Sequence, residues 1–145
     1  MNRKVNQRGF TLIELVVVIT ILGILAAFAI PRFSRMEVQA RAATVQALAG
    51  SMRSSAALAH ALWLASGQPN NVQMEGSGNI AMVNGYPTRA SIDNTIADWQ
   101  TGFSYSQATG VFQKTGVTTA CNVTYTPPAA PSTPPTITVA NPLVC

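Results

Sequence analysis

Charge is what this chain most lacks. Only 10% of its 145 residues are Asp, Glu, Lys or Arg, against roughly a quarter in ordinary soluble domains. A surface so poor in charge meets lipid or protein over much of its area. Histidine is nearly missing as well. His60 stands alone, with no Ser, Cys or carboxylate at hydrolase spacing around it, which argues against a nucleophilic triad. The two cysteines, Cys121 and Cys145, form neither a CxxC nor a Cys/His cluster, which argues against zinc. Gly76-Ser77-Gly78 is too short to cradle a phosphate, and Asp93 and Asp98 lack the companions a calcium loop needs. The chain reads as a non-enzyme, with no catalytic residues, no metal and no cofactor. Nor is it a nucleic-acid binder by charge. Three of the nine basic residues, Arg3, Lys4 and Arg8, lie in the first eight positions, and without them the net charge of +4 falls by 3 to +1.

Long apolar stretches, by contrast, are present. From Leu15 to Ile30 there is no charge, and the apolar run counted from Phe10 has about 21 residues, enough to cross a bilayer as a helix. The basic cluster ahead of it suits the cytoplasmic side of a membrane segment. A secretory signal peptide cut after Ala27-Phe28-Ala29 would use the same ingredients and release a soluble protein beginning at Ile30. Against that stand the length of the run and Glu14, a carboxylate just inside it. A charged group within a bilayer segment is costly and marks function, and a discarded peptide has no use for one.

Helical periodicity also continues past the run. Val38, Ala42, Val45, Ala49, Met52, Ala56, Ala59 and Trp63 form one apolar stripe in steps of four and three. After Pro31 no strong breaker follows until Gly67, so one helix is predicted from near Phe10 to near Ala65. Its first half is apolar all round and its second half amphipathic. Gly23 and Pro31 bracket its weakest stretch: Gly has low helix propensity, and Pro removes a donor and crowds the carbonyl of Ala27. Residues 67–85 are rich in Gly, Asn, Gln and Ser and predict a surface loop ending in an Asn84-Gly85 turn. Tyr86-Pro87 is extended, and Ser91 is placed to cap a short helix from Ile92 toward Trp99. Strands are predicted at Phe103–Tyr105, Val111–Gln113, Cys121–Tyr125 and Thr136–Val139. The proline-rich stretch from Pro127 to Pro135 can only be an exposed loop. The fold class is α+β, a long N-terminal helix packed on an antiparallel sheet of three or four strands. An exported chain meets an oxidising compartment, where Cys121 and Cys145 close a disulfide; the alternative is two unrelated thiols.

Gly9-Phe10-Thr11-Leu12-Ile13-Glu14, the run from Leu15 to Ala27, and Ile30-Pro31 together resemble the type IV prepilin signature. The resemblance implies a leader, residues 1–9, cut between Gly9 and Phe10 by prepilin peptidase, with methylation of the new Phe10 amine. It implies a filament-core helix over 10–31, an amphipathic half over 32–66 and a globular region over 67–145. Phe10 and Glu14 become assembly residues, the carboxylate meeting a neighbouring subunit's Phe10 amine, and the helix unwinds between Gly23 and Pro31. Implied partners are further copies of the chain, the peptidase and N-methyltransferase, the inner-membrane assembly machinery, and lipid before assembly, with no nucleic acid. The chain would cross the inner membrane once, N-terminus inside, before joining an extracellular pilus for adhesion or motility. The segment from Met82 to Pro87, the Cys121–Tyr125 strand and the terminal cysteine look most like the mannose-sensitive haemagglutinin pilin branch. In such an exported prokaryotic chain, the Asn122-Val123-Thr124 glycosylation sequon is read as chance. Two rivals share the fold: a type II secretion pseudopilin, disfavoured by the cysteine pair and the scarcity of acids near the C-terminus, and a minor or DNA-uptake pilin.

Overall fold

The computed structural model describes residues 9–118, 120–131 and 133–145. Arg3, Lys4 and Arg8, and all of the expected leader but Gly9, lie outside the described residues. The chain divides into two compact units, Met1–Glu37 and Val38–Cys145. A single helix, α1, is assigned over Leu12–Ala65, with Gly23 and Pro31 inside it.

In the first unit no described residue of the helix is buried, its most apolar 18-residue window included. By length and composition it can cross a membrane. Thr20 is the one hydroxyl amid the run from Leu15 to Ile30, and its Oγ1 donates to the carbonyls of Val16 and Val17 at 2.9 and 2.8 Å. That internal satisfaction removes most of the penalty a polar group carries in hydrocarbon.

In the second unit α1 is amphipathic, as its periodicity requires. Val45, Leu48, Ala49, Met52, Ala56 and Ala59 are buried. The expected stripe is thus shorter at its start, since Val38 is exposed, and it gains Leu48. The helix stops in a Schellman motif. Gly67 and Gln68 adopt positive φ, the Gln68 N–H donates to the Trp63 carbonyl at 2.9 Å and the Gly67 N–H to that of Leu64 at 3.4 Å.

Two antiparallel sheets follow where one was expected. The first joins β1 (Asn71–Gln73), β2 (Asn79–Val83) and β3 (Tyr86–Pro87). Two of these strands fall in the segment whose composition predicts only loop. Val72 pairs with Ile80, and both pack with Ala59 in a small core edged by Trp63, Met74 and Met82; burial on the helix overrides the weak local propensity. Asn84 and Gly85 form the β2–β3 turn with φ of 50° and 84°, the positive pair a type I′ hairpin needs.

The second sheet is a meander of β4 (Phe103–Ser106), β5 (Val111–Lys114), β6 (Asn122–Thr126) and β7 (Thr136–Val139). Its inward residues Phe112, Val123 and Tyr125 meet Val45, Met52 and Ala56 of α1 in the main core. Gly110 closes the β4–β5 turn at φ 75°, where any Cβ would lie 2.3 Å from the Tyr125 carbonyl oxygen. Only glycine fits there.

Between the sheets, the expected single helix from Ile92 is instead two 3₁₀ turns, Ile92–Thr95 and Trp99–Thr101. Ser91 does not cap the first; its Oγ donates to the Ala81 carbonyl at 2.8 Å. Cys121 and Cys145 are joined as a disulfide, with Cα atoms 4.9 Å apart.

Candidate assembly site

The N-terminus of α1 is organised by Thr11 and Glu14. The Thr11 N–H and Oγ1 both donate to Glu14 Oε2, at 2.9 and 2.8 Å. The Glu14 N–H donates back to Thr11 Oγ1 at 3.3 Å. This is a capping box: Thr11 is the N-cap, Glu14 sits at the third helical position, and two orphan donors of the first turn are satisfied reciprocally. The Thr-x-x-Glu spacing was legible in the sequence, but Thr11 as the partner of Glu14 was missed because the carboxylate was weighed only for its charge.

Around this box Phe10, Ile13, Val17 and Val18 form an open apolar concavity of about 330 Å³ in which Glu14 is the single polar side chain. Phe10 itself is 83% exposed. With Gly9 still attached, the Phe10 nitrogen is an uncharged amide, so Glu14 turns to Thr11. If the Gly9–Phe10 bond were cut, a charged amine would appear one turn from the carboxylate and compete with the cap. The arrangement can hold a cation or an amine beside a greasy helix face.

The other singled-out residues lie elsewhere. His60 Nδ1 is 2.7 Å from the Gly85 carbonyl, and its ring stacks on Tyr86. Asn122 lies in β6 with its amide donating to Gln113 Oε1 at 3.1 Å. Asp93 and Asp98 border one polar depression with Ser77. Among the described residues, no three His, Cys, Asp or Glu side chains gather as a metal site.

Burial pushes the Tyr105 hydroxyl up to about 12, helped by the Asp93 charge and opposed by Arg89. Its Oη donates to the Arg89 carbonyl. Burial likewise raises Tyr125, whose Oη donates to the Pro87 carbonyl at 2.7 Å.

Comparison with known proteins points to the same end of the chain. Residues 4–30 match the family described as the prokaryotic N-terminal methylation motif. The chain is 52% identical over 54 residues to the type IV narrow pilus major component PilA5 of Thermus thermophilus, an alignment covering 37% of this chain and 47% of that protein. It is 45% identical over 52 residues to a type IV major fimbrial protein FimA of Dichelobacter nodosus, covering 36% of this chain and 33% of FimA. A fimbrial protein of the same organism is 49% identical over 50 residues, 34% of this chain and 31% of the relative. The chain thus spans less than half the length of the curated relatives it matches. No solved structure matches it.

Proposed function

We propose that this chain is a structural subunit of a type IV pilus. An apolar stretch of helix with no buried residue and one capped carboxylate at its start carries the reading. Such a surface persists only against lipid or against other helices. The relatives named as pilus and fimbrial components support it, as does the methylation motif.

On this reading prepilin peptidase cuts between Gly9 and Phe10 at the cytoplasmic face, and the Phe10 amine is methylated. Glu14 then leaves Thr11 for the Phe10 amine of a neighbouring copy, which sets axial register more than it adds stability. Residues 10–31 exchange lipid for neighbouring helices, small residues such as Gly23, Ala26 and Ala27 allowing close approach. The stretch from Gly23 to Pro31 unwinds in the fibre and lends it extension. Residues 32–66 present the globular region, 67–145, to the outside. The subunit performs no chemistry and takes no cofactor. Its partners are other copies, the peptidase and methyltransferase, the inner-membrane assembly machinery and, before assembly, lipid. Among pilins, the Met82–Pro87 hairpin and the terminal disulfide favour the mannose-sensitive haemagglutinin branch.

The test is the intact mass of the chain in a sheared cell-surface fraction, before and after reduction. The expected mass is Phe10–Cys145 plus one methyl, gaining two hydrogens on reduction. A chain beginning at Ile30 and free in the periplasm would overturn the proposal.

A further inference from the structure

Both ends of the apolar run carry positive charge. Ahead of it stand Arg3, Lys4 and Arg8; behind it stand Arg32, Arg35 and Arg41 against the single acid Glu37. The far flank of a membrane helix is ordinarily poor in Lys and Arg. Basic residues placed there need a local reason.

Helix α1 runs through Arg32 and Arg35. They are three residues apart, so they are neighbours on the helix surface, where like charges repel. Both are exposed, and among the described residues neither has a hydrogen-bonding or ionic partner. An anion seated between them removes the repulsion. Both are arginine rather than lysine. A guanidinium grips two phosphate oxygens at once, whereas an ammonium acts as a point charge.

Depth in the membrane identifies the source of that anion. From Leu12, where the helix starts, to Arg32 is a rise of about 30 Å, the thickness of a bilayer's hydrocarbon core. Phe28, Ile30, Phe33 and Met36 around the pair are 74, 67, 67 and 60% exposed. Apolar surface therefore continues past Arg32, and the two guanidinium groups stand at the boundary between acyl chains and headgroups. The anion at that boundary is a lipid phosphate. A zwitterionic lipid offsets its phosphate with its own ammonium, so an anionic phospholipid is the better fit.

We infer that Arg32 and Arg35 form a binding site for the phosphate of an anionic phospholipid, in the leaflet opposite the Arg3, Lys4 and Arg8 cluster. The inference rests on the membrane-spanning part of the pilus reading and adds a lipid class to it. Seated there, the pair sets the depth of the helix. Glu14 then lies about 27 Å along the axis from Arg32, near the other edge of the core. Joining a filament means giving up that lipid.

The test reads the lipid composition beside the site. The full chain carrying Phe33→Trp is reconstituted in vesicles of equal phosphatidylcholine and phosphatidylglycerol, with one or the other lipid brominated on its acyl chains. Bromine quenches an indole that it touches, and the unsubstituted chain measures the background from Trp63 and Trp99. The indole at position 33 is expected to report phosphatidylglycerol favoured about fivefold or more. Arg32→Gln with Arg35→Gln in the same background should abolish that preference, while near-ultraviolet circular dichroism shows the second unit still folded. Equal quenching by the two brominated lipids would overturn the inference and leave the pilus reading standing. So would a preference that survives the double substitution. A preference abolished by about 10 mM inorganic phosphate at constant ionic strength would make the occupant a soluble anion and overturn it too. Quenching by neither lipid would take this end of the helix out of the membrane and overturn the membrane-spanning reading as well.

Discussion

The two stretches of α1 obey the same local rules and reach opposite ends. Between Val45 and Ala59 six residues are buried, each against a partner within the molecule. Between Phe10 and Phe33 every large apolar side chain is exposed, Phe10, Phe28 and Phe33 by two thirds or more. The second stretch is amphipathic and finds two sheets; the first is apolar all round and finds nothing. Folding stability therefore resides in Val38–Cys145, whereas the apolar stretch holds a reserve of burial that only lipid or other chains can realise. Hydrophobicity alone does not distinguish the two; the pattern around the helix does.

The sharpest way to break this contrast is to change one residue on each side and ask whether fold and assembly fail together. Glu14→Val should abolish the chain from the sheared surface fraction while leaving the near-ultraviolet circular dichroism of the second unit unchanged. If filaments formed normally, Glu14 would be a cap and nothing more. Phe112→Ala is the complementary change. Phe112 is fully buried, stacked on Tyr105 at 4.0 Å and edge-on to Trp99 at 5.4 Å. Its loss should cost about 3–5 kcal/mol in denaturant unfolding of the detergent-solubilised chain. Leu22→Ala, in the exposed run, should cost under about 0.5 kcal/mol in the same assay. Comparable values for the two would mean that the apolar stretch packs within the monomer after all.

A third measurement stays on the folded side of the contrast. Cys121 and Cys145 are 24 residues apart in sequence, a loop whose closure stabilises by about 3–4 kcal/mol on the chain-entropy account. Cys145 packs on the main core beside Leu143 and Val139. Reduction should lower the unfolding free energy of the second unit by about 3–4 kcal/mol, read from denaturant unfolding. Membrane insertion, scored by protection of the N-terminal helix from protease in vesicles, should be unaffected.

What could be read from the chain alone follows the same division. The helix was legible because its signals are local and repeated: the stripe from Val45 to Ala59, the acid inside the apolar run, and Gly67 as the stop. The meander was legible from alternation in Phe103–Tyr105 and Cys121–Tyr125, which agrees with the inward Val123 and Tyr125. β1 and β2 were not. Their Asn, Gln and Gly content signals loop, and only the pairing of Val72 with Ile80 beneath Ala59 makes them strands. Ile92 to Trp99 failed for a related reason: Ser91, expected to cap a helix, is drawn off by the Ala81 carbonyl. Of the stack of His60, Trp63 and Tyr86, only the nearness of His60 to Trp63 on one helix was legible; Tyr86 was not, because the β2–β3 hairpin must first bring it back to the helix end.

The smallest expected effect sharpens the contrast through pH. All three tyrosines, Tyr86, Tyr105 and Tyr125, lie in the second unit. Tyr105 is held up at about 12 from an ordinary 10 in the native state, and Tyr125 is raised as well. The native state thus keeps protons that the unfolded chain releases. The stabilisation from this linkage is complete below about pH 10 and drains away as pH rises from there toward 12. Thermal unfolding of the detergent-solubilised chain should therefore show a midpoint that falls as pH rises above 10. Tyr105→Phe lowers the midpoint below about pH 10 through loss of the bond to the Arg89 carbonyl, so the informative quantity is the slope. That slope should become shallower in the variant without vanishing, because Tyr125 still titrates. An unchanged slope would place the alkaline sensitivity elsewhere. Membrane insertion, which involves a helix start with no tyrosine, should be indifferent to this substitution.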